Sequence, residues 1–322
     1  MIPLRDTTPS ENYPIVNNLI IGINVLIFLL EISQGDDSGR FLYIYGLVPA
    51  RYSVPQIAAY FSFGQQLFSL LSFMFLHGGL WHLLGNMWSL YIFGDNVEDR
   101  LGHLRYLLFY LLCGVTSGLW HFFFNQHSNI PTIGASGSIA GVMGAYFILH
   151  PRSKILTLIP ILFIPYFIEI PAFFFLGLWL LLQFLNAAGS QGGAGGIAWW
   201  AHIGGFIFGM IFLKVFTLLP RTGFTDKVSK STVKKKTHRL QVIRPMGREA
   251  DEHLYGTITI TPYESHTGTR KTVNIPRGFK KRLFNVHIPA GIQQGSILRL
   301  KDVENPSPGK GHGDLLLKVI IR

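Results

Sequence analysis

Along the first two thirds of the chain, apolar residues gather into blocks; along the last third they alternate with polar ones in short runs. Six blocks, at roughly 15–33, 80–95, 104–124, 134–150, 169–188 and 198–217, predict membrane-spanning helices. A stretch of about 20 apolar residues, rising 1.5 Å each, covers the hydrocarbon core of a bilayer. The first block is led by polar residues and shows no small-residue cleavage pattern, so it reads as a retained span rather than a signal peptide. The expected fold class is an α-helical polytopic membrane protein, a six-span bundle, with a small C-terminal all-β cytoplasmic domain.

Residues 34–79 are too polar and too broken by Gly and Pro to span, and their aromatics suit the outer interface. In 151–168 the prolines Pro160 and Pro165, with Pro171 just beyond, argue against one helix and predict an internal, membrane-hugging connection. Alternating runs at 256–261, 271–275, 284–288, 296–300 and 315–321 predict strands, separated by Gly and Pro. The domain division expected is 1–217 for the membrane domain, 218–252 for a basic linker and 253–322 for the β domain.

Charge gives the topology. Of the formal +11, residues through 217 contribute 8 Lys/Arg against 9 Asp/Glu, whereas 218 onward holds 20 against 8. The basic stretch Arg221, Lys227, Lys230, Lys234, Lys235, Lys236, Arg239, Arg244 and Arg248 follows the last span and predicts a cytoplasmic tail. An even span number then puts the N-terminus inside as well. The connections 125–133 and 189–197 lack Lys and Arg and would be external, while Arg100, Arg105, Arg152 and Lys154 would be internal. Trp81, Trp120, Trp199 and Trp200 fall near external helix ends, as an aromatic belt would. The basic stretch lacks interleaved aromatics, so no nucleic acid is expected as a partner. Cys113 is the only cysteine, which excludes an intrachain disulfide and a cysteine-built zinc site. No metal, nucleotide or other cofactor is suggested.

Within this topology, spans two, four and six run from outside to inside. Ser136 and His202 lie near the starts of spans four and six, and His77, His82 and Asn86 around the start of span two. A serine hydroxyl becomes a nucleophile when a base takes its proton, and neutral histidine suits that task. His82 and Asn86, four apart, share a helix face and can serve an oxyanion, as can the unpaired N–H groups of the first turn of span four. No acidic residue stands where it could orient His202, so a Ser-His dyad is expected. Gly137 to Gly141 and Gly205 to Gly209 have GxxxG spacing, which lets helix backbones pack closely in lipid. Each residue alone has a plain packing explanation; their convergence at one depth favours chemistry.

These residues resemble the rhomboid family of intramembrane serine proteases in its six-span bacterial form. The likeness covers about residues 15–215 through HGGLWHLLGNM (77–87), GDNVEDRLG (94–102), GASGSIAGVMGAY (134–146) and AWWAHIGGFIFG (198–209). It implies Ser136 as nucleophile, His202 as general base, His82 and Asn86 as oxyanion-stabilising side chains, and His77, Gly134, Gly137 and Gly205 in support. It also implies lateral entry of substrate by way of span five. The Trp-Arg pair that many members carry in the first loop is replaced here by Leu67-Phe68-Ser69-Leu70.

The tail has a separate resemblance, to the C-terminal β domain of J-proteins of the Hsp40 class, through VHIPAGIQQGSILRL (286–300) and GDLLLKVII (313–321). That implies an unfolded-peptide or chaperone-related partner. Neither a His-Pro-Asp motif nor paired zinc-module cysteines accompany it. The expected function is cleavage of transmembrane-anchored proteins near the external face of the plasma membrane. The alternative is a non-proteolytic membrane adaptor or holdase.

Overall fold

The computed structural model describes residues 1–161, 164–189, 198–220, 232–234, 237, 240–243, 246–247, 253–277, 280–304 and 312–322. They form two compact units, Met1–Thr232 and Val233–Arg322.

The first unit begins with strand β1 (Ile2–Asp6) and helix α1 (Ile15–Ile32). The connection to the next long helix holds four shorter ones: α2 (Ser38–Tyr45), α3 (Ala50–Ser53), α4 (Pro55–Ala58) and α5 (Phe63–Ser72). Then come α6 (Leu80–Leu101), α7 (His103–Phe124), α8 (Ser136–Leu149), strands β2 (Lys154–Ile161) and β3 (Ile164–Pro171), α9 (Ala172–Gly189) and α10 (Trp199–Leu218).

Among the described residues, α1, α7, α9 and α10 are each long and apolar enough to cross a membrane, and α6 joins them if it is counted with Phe63–Phe75, from which it is bent by 76°. The chain is thus a multi-pass membrane protein. The block at 134–150 differs from expectation: its helix has only 14 residues, roughly 21 Å at 1.5 Å per residue, short of a hydrocarbon core. Its surroundings explain how a short helix suffices. Gly137 to Tyr146 are buried without interruption, so α8 is central, with protein rather than lipid around it.

Small residues make that centre possible. A side-chain carbon on Gly205 would stand 2.1 Å from the Gly137 carbonyl oxygen, and one on Gly209 the same 2.1 Å from that of Gly141. Backbones of α8 and α10 therefore touch, and the 137–205 and 141–209 pairs show that the two helices run parallel.

The GDNVEDRLG segment is occupied with structure. The Glu98 carboxylate accepts the N–H groups of Val16 and Asn17 at 2.9 and 2.8 Å, satisfying the exposed donors at the start of α1. Asp99 accepts from the backbone of Glu11 and Asn12 at 2.7 and 2.9 Å. In the long first connection, fully buried Arg51 donates to the carbonyls of Ile44, at 3.0 Å, and Tyr43, and lies 3.6 Å from the Phe61 ring centroid. A cation in that loop is thus held by carbonyls and an aromatic face without the Trp-Arg pair.

Residues 151–168 correct the expectation of a simple connection. β2 and β3 form an antiparallel hairpin with Pro160 opposite Pro165, and β1 adds to β2 to complete a three-stranded sheet in the order β1-β2-β3. The prolines do break a helix, and Pro160 stands beyond the Ile155–Leu158 stretch that β1 covers, where its missing N–H leaves no pairing to β1 unmade. Span five accordingly starts at Ala172.

In the second unit, strands β4 (Leu240–Val242) and β5 (Met246–Gly247) come from the stretch read as a linker. They precede β6 (Leu254–Ile260), α11 (Pro262–Thr267), β7 (Thr269–Arg277), β8 (Lys280–Ile288), β9 (Ile297–Glu304) and β10 (His312–Ile321). The sheets are β5-β6-β10-β9 and β4-β7-β8, with β10 parallel to β6. Their inward Ile, Leu and Val residues form one core around Ile258, Val273, Ile288 and Leu317. Most of the basic stretch, including Arg221, Lys227, Lys230, Lys235, Lys236, Arg239, Arg244 and Arg248, lies outside the described residues, as does the connection 190–197.

Candidate active site

Ser136 is the first residue of α8 and His202 lies in the first turn of α10. The parallel, glycine-mediated contact of the two helices brings these starts together. His202 Nε2 stands 2.8 Å from Ser136 Oγ, in a chain where 66 residues separate them.

The other imidazole nitrogen is engaged by a residue that sequence reasoning passed over. His202 Nδ1 lies 2.8 Å from Gln183 Oε1 on α9. The amide is oriented because its Nε2 donates to the Trp179 carbonyl at 3.2 Å. Its oxygen therefore faces the ring, Nδ1 carries the proton, and Nε2 is left as an acceptor for the serine hydroxyl. A signal was present: Gln183 is the one strongly polar side chain in the run LGLWLLLQFL, and polar groups within spans mark functional positions. The group that meets His202 Nδ1 is a neutral amide, where the expectation considered only an acidic side chain. Trp179, one turn before it, sets its ring centroid 5.9 Å from that of His202.

Donors converge on the serine. The N–H groups of Ser136, Gly137 and Ser138 occupy the first turn of α8, where no intrahelical acceptor exists and no side chain caps them. Asn86, only 7% exposed, has an Nδ2 group without a partner among the described residues. Leaving such a donor buried and unpaired costs about 1–3 kcal/mol, so a group that accepts from it would be bound there.

His82 arrives through Gly134. That glycine has φ +120°, and a side-chain carbon on it would stand 2.7 Å from His82 Nε2 and 3.6 Å from Ser136 Oγ. Imidazole and hydroxyl thus border the same space, which only glycine leaves open. Gly137 has its own constraint, since an added carbon would lie 2.1 Å from Ser117 Oγ. His77 does not reach the serine. It is fully buried beside His82, with ring centroids 5.1 Å apart, and its backbone N–H donates to the Glu31 carboxylate at 3.0 Å.

A cavity of about 290 Å³ opens at this point, touching Ser136, His202, Asn86, Met143 and Trp179, and also Met1 and Pro3. No cluster of metal-ligating side chains occurs among the described residues. What the site can do is activate a hydroxyl by proton transfer to a neutral imidazole and stabilise negative charge beside it, within an apolar helical bundle.

Bundle and site together define a multi-pass membrane protein with a serine-histidine pair enclosed among its helices. Residues 64–218 match the model of the Rhomboid domain family. The chain is similar to Rhomboid protein 1, mitochondrial, of Saccharomyces cerevisiae, 29% identical over 231 residues, which is 69% of this chain and 56% of that protein. It is also similar to RHOMBOID-like protein 6, mitochondrial, of Arabidopsis thaliana, 31% identical over 166 residues (51% and 48%). Rhomboid protease GluP of Bacillus subtilis is 33% identical over 149 residues (45% and 27%). The chain therefore spans about half the length, or less, of these curated relatives.

Proposed function

We propose that the protein is an intramembrane serine endopeptidase that cleaves transmembrane-anchored proteins. The observation that carries this reading is the relay Gln183–His202–Ser136, with both contacts at 2.8 Å. The Rhomboid domain and the protease named among the relatives support the reaction class.

In this reading the Ser136 hydroxyl transfers its proton to His202 Nε2 as Oγ bonds to the scissile carbonyl carbon. The carbonyl oxygen takes the negative charge and is held by Asn86 Nδ2, His82 and the N–H groups of the first turn of α8. His202 then returns the proton to the leaving amine as the peptide bond breaks. A water, deprotonated by the same nitrogen, hydrolyses the acyl-enzyme and restores Ser136. The substrate must reach the serine unwound, because a hydrogen-bonded helix shields its carbonyl carbons.

The charge asymmetry supports a topology with both termini cytoplasmic and the site opening to the external face of the plasma membrane. A reporter fused after Arg322 would be read in the cytoplasm. For the second unit, the J-protein likeness supports a β module that takes apolar peptide segments and is accessory to catalysis. Truncation after Thr232 is then expected to leave basal cleavage intact; its complete loss on a minimal substrate would overturn the accessory role.

The deciding experiment uses the full chain in liposomes with a single-span substrate destabilised by Pro or Gly. Cleavage is expected, and Ser136→Ala is expected to abolish it. Cleavage that survives the substitution would overturn the assignment.

A further inference from the structure

Strand β1 brings Met1 and Pro3 to the cavity beside Ser136, although the chemistry above uses neither residue. It pairs antiparallel with β2, Ile2 opposite Leu158 and Asp6 opposite Ile155. On α6, Trp88 Nε1 donates to the Pro3 carbonyl at 2.5 Å. At the other end Tyr146 and Asn96 donate to the Asp6 carboxylate at 2.6 and 2.9 Å. The strand therefore runs from the C-terminal end of α8, near Tyr146, to its N-terminal end, where Ser136 lies.

The position it fills is one that has to be filled. β2 is the middle strand of the sheet, so without β1 its edge would present unpaired N–H and C=O groups. Tyr166, Phe167 and Ile168 on neighbouring β3 are exposed apolar residues, as expected of a sheet in an apolar medium, where unpaired backbone groups are costly. Yet β1 is a poor permanent occupant. Pro3 has no N–H to donate, and the register shifts between Pro3 and Arg5. Its sequence, Ile-Pro-Leu followed by Arg-Asp, is apolar, helix-breaking and then charged. The end of an unwound membrane span has the same character.

We propose that the edge of β2 is the docking edge for an extended apolar segment of the substrate span, and that β1 holds this edge in the resting molecule as a displaceable competitor. The identity of the occupant rests on the proteolytic reading above. A segment added to β2 as a strand is extended, with its carbonyls free of helical hydrogen bonds, and runs toward Ser136. While β1 is seated, only the fraction of molecules with a vacant edge can bind, and apparent affinity falls by that fraction.

A reversible lock tests this. The full chain carrying Ile2→Cys and Leu158→Cys is reconstituted in phosphatidylcholine–phosphatidylglycerol liposomes with the single-span, proline-containing substrate. Cleavage is expected to fall about tenfold or more on oxidation and to return on reduction, because the lock removes the vacant-edge fraction. Each single substitution should show no redox dependence. In a Ser136→Ala background, a photoreactive amino acid replacing Leu158 should capture the uncleaved substrate, and deletion of Ile2–Asp6 should increase that capture. Complete disulfide formation with unchanged cleavage, or capture indifferent to the deletion, would overturn the proposal. If no form of the protein cleaves but capture still rises on deletion, the proteolytic reading fails and the docking edge stands.

Discussion

Gln183 and His202 lie 19 residues apart on different helices, and their side chains meet at 2.8 Å between Oε1 and Nδ1. This contact selects the imidazole tautomer whose bare nitrogen faces Ser136. It also ties α9 to His202, so a displacement of α9 would disturb the proposed base directly.

In the proposed reaction Gln183 is accordingly a positioning residue. Gln183→Leu should lower kcat by about tenfold with little change in KM, since it removes an orienting contact and not one made to substrate. Gln183→Glu keeps an acceptor for Nδ1–H and should recover much of the rate. Steady-state kinetics in liposomes separates the outcomes; a pure KM effect in the Leu variant would argue against the role.

Asn86 holds its donor buried and without a partner among the described residues. If that donor serves the oxyanion, Asn86→Ala should reduce kcat by roughly 10²-fold while substrate binding to the Ser136→Ala background stays unchanged. Equal losses in binding and turnover would assign Asn86 to ground-state contacts.

The contact between α8 and α10 leaves no room for a methyl group. Gly205→Ala forces a carbon to 2.1 Å from the Gly137 carbonyl oxygen and should cost on the order of 1–3 kcal/mol, with loss of activity. Gly22→Ala, on α1, meets nothing within 4 Å among the described residues and serves as the control. Thermal unfolding in detergent checks both; an unchanged Tm for Gly205→Ala would refute the close approach.

Asp6 sets a pH dependence on the seating of β1. Burial pushes its carboxyl up to about 7, outweighing the Tyr146 hydrogen bond, and the Asp95 charge on α6 adds to the rise. The seated strand thus favours the protonated form. Its stability is full below the ordinary value of 3.8 and is lost as pH rises toward 7. Hydrogen exchange in residues 2–6 should accelerate between those limits beyond its intrinsic pH trend. In Asp6→Asn the extra acceleration should vanish, and its persistence there would exclude Asp6 as the cause.

The second unit buries an ion pair between Lys271 and Glu264, each side chain 1% exposed. Glu264 also accepts from the Thr237 hydroxyl at 2.8 Å and caps α11 by accepting the Thr261 N–H at 3.0 Å. Lys271→Met strands a carboxylate in this setting and should destabilise the unit by about 3–5 kcal/mol. The double change Lys271→Met with Glu264→Gln should recover part of the loss. Local unfolding of residues 254–321 by hydrogen exchange is the measure.

The amino-acid sequence by itself determined the apolar blocks, their approximate ends, the serine, the histidines and Asn86, and the tail strands β6 to β10, though not β4 and β5. These follow from local periodicity and from the rarity of polar groups in apolar runs, neither of which requires knowing what touches what. The GxxxG spacings likewise announced close packing, because a missing side chain is visible in one dimension. Only the tertiary structure decided that Gln183 orients His202, that α8 is too short to span alone, that Arg51 is buried against Phe61, and that β1 crosses to pair with a hairpin. Each depends on residues distant in sequence meeting in space. Gln183 looked like one polar group on a helix until α9 set it against α10, and Ile2–Asp6 is too short to read as a strand until the open edge of β2 supplies its hydrogen bonds.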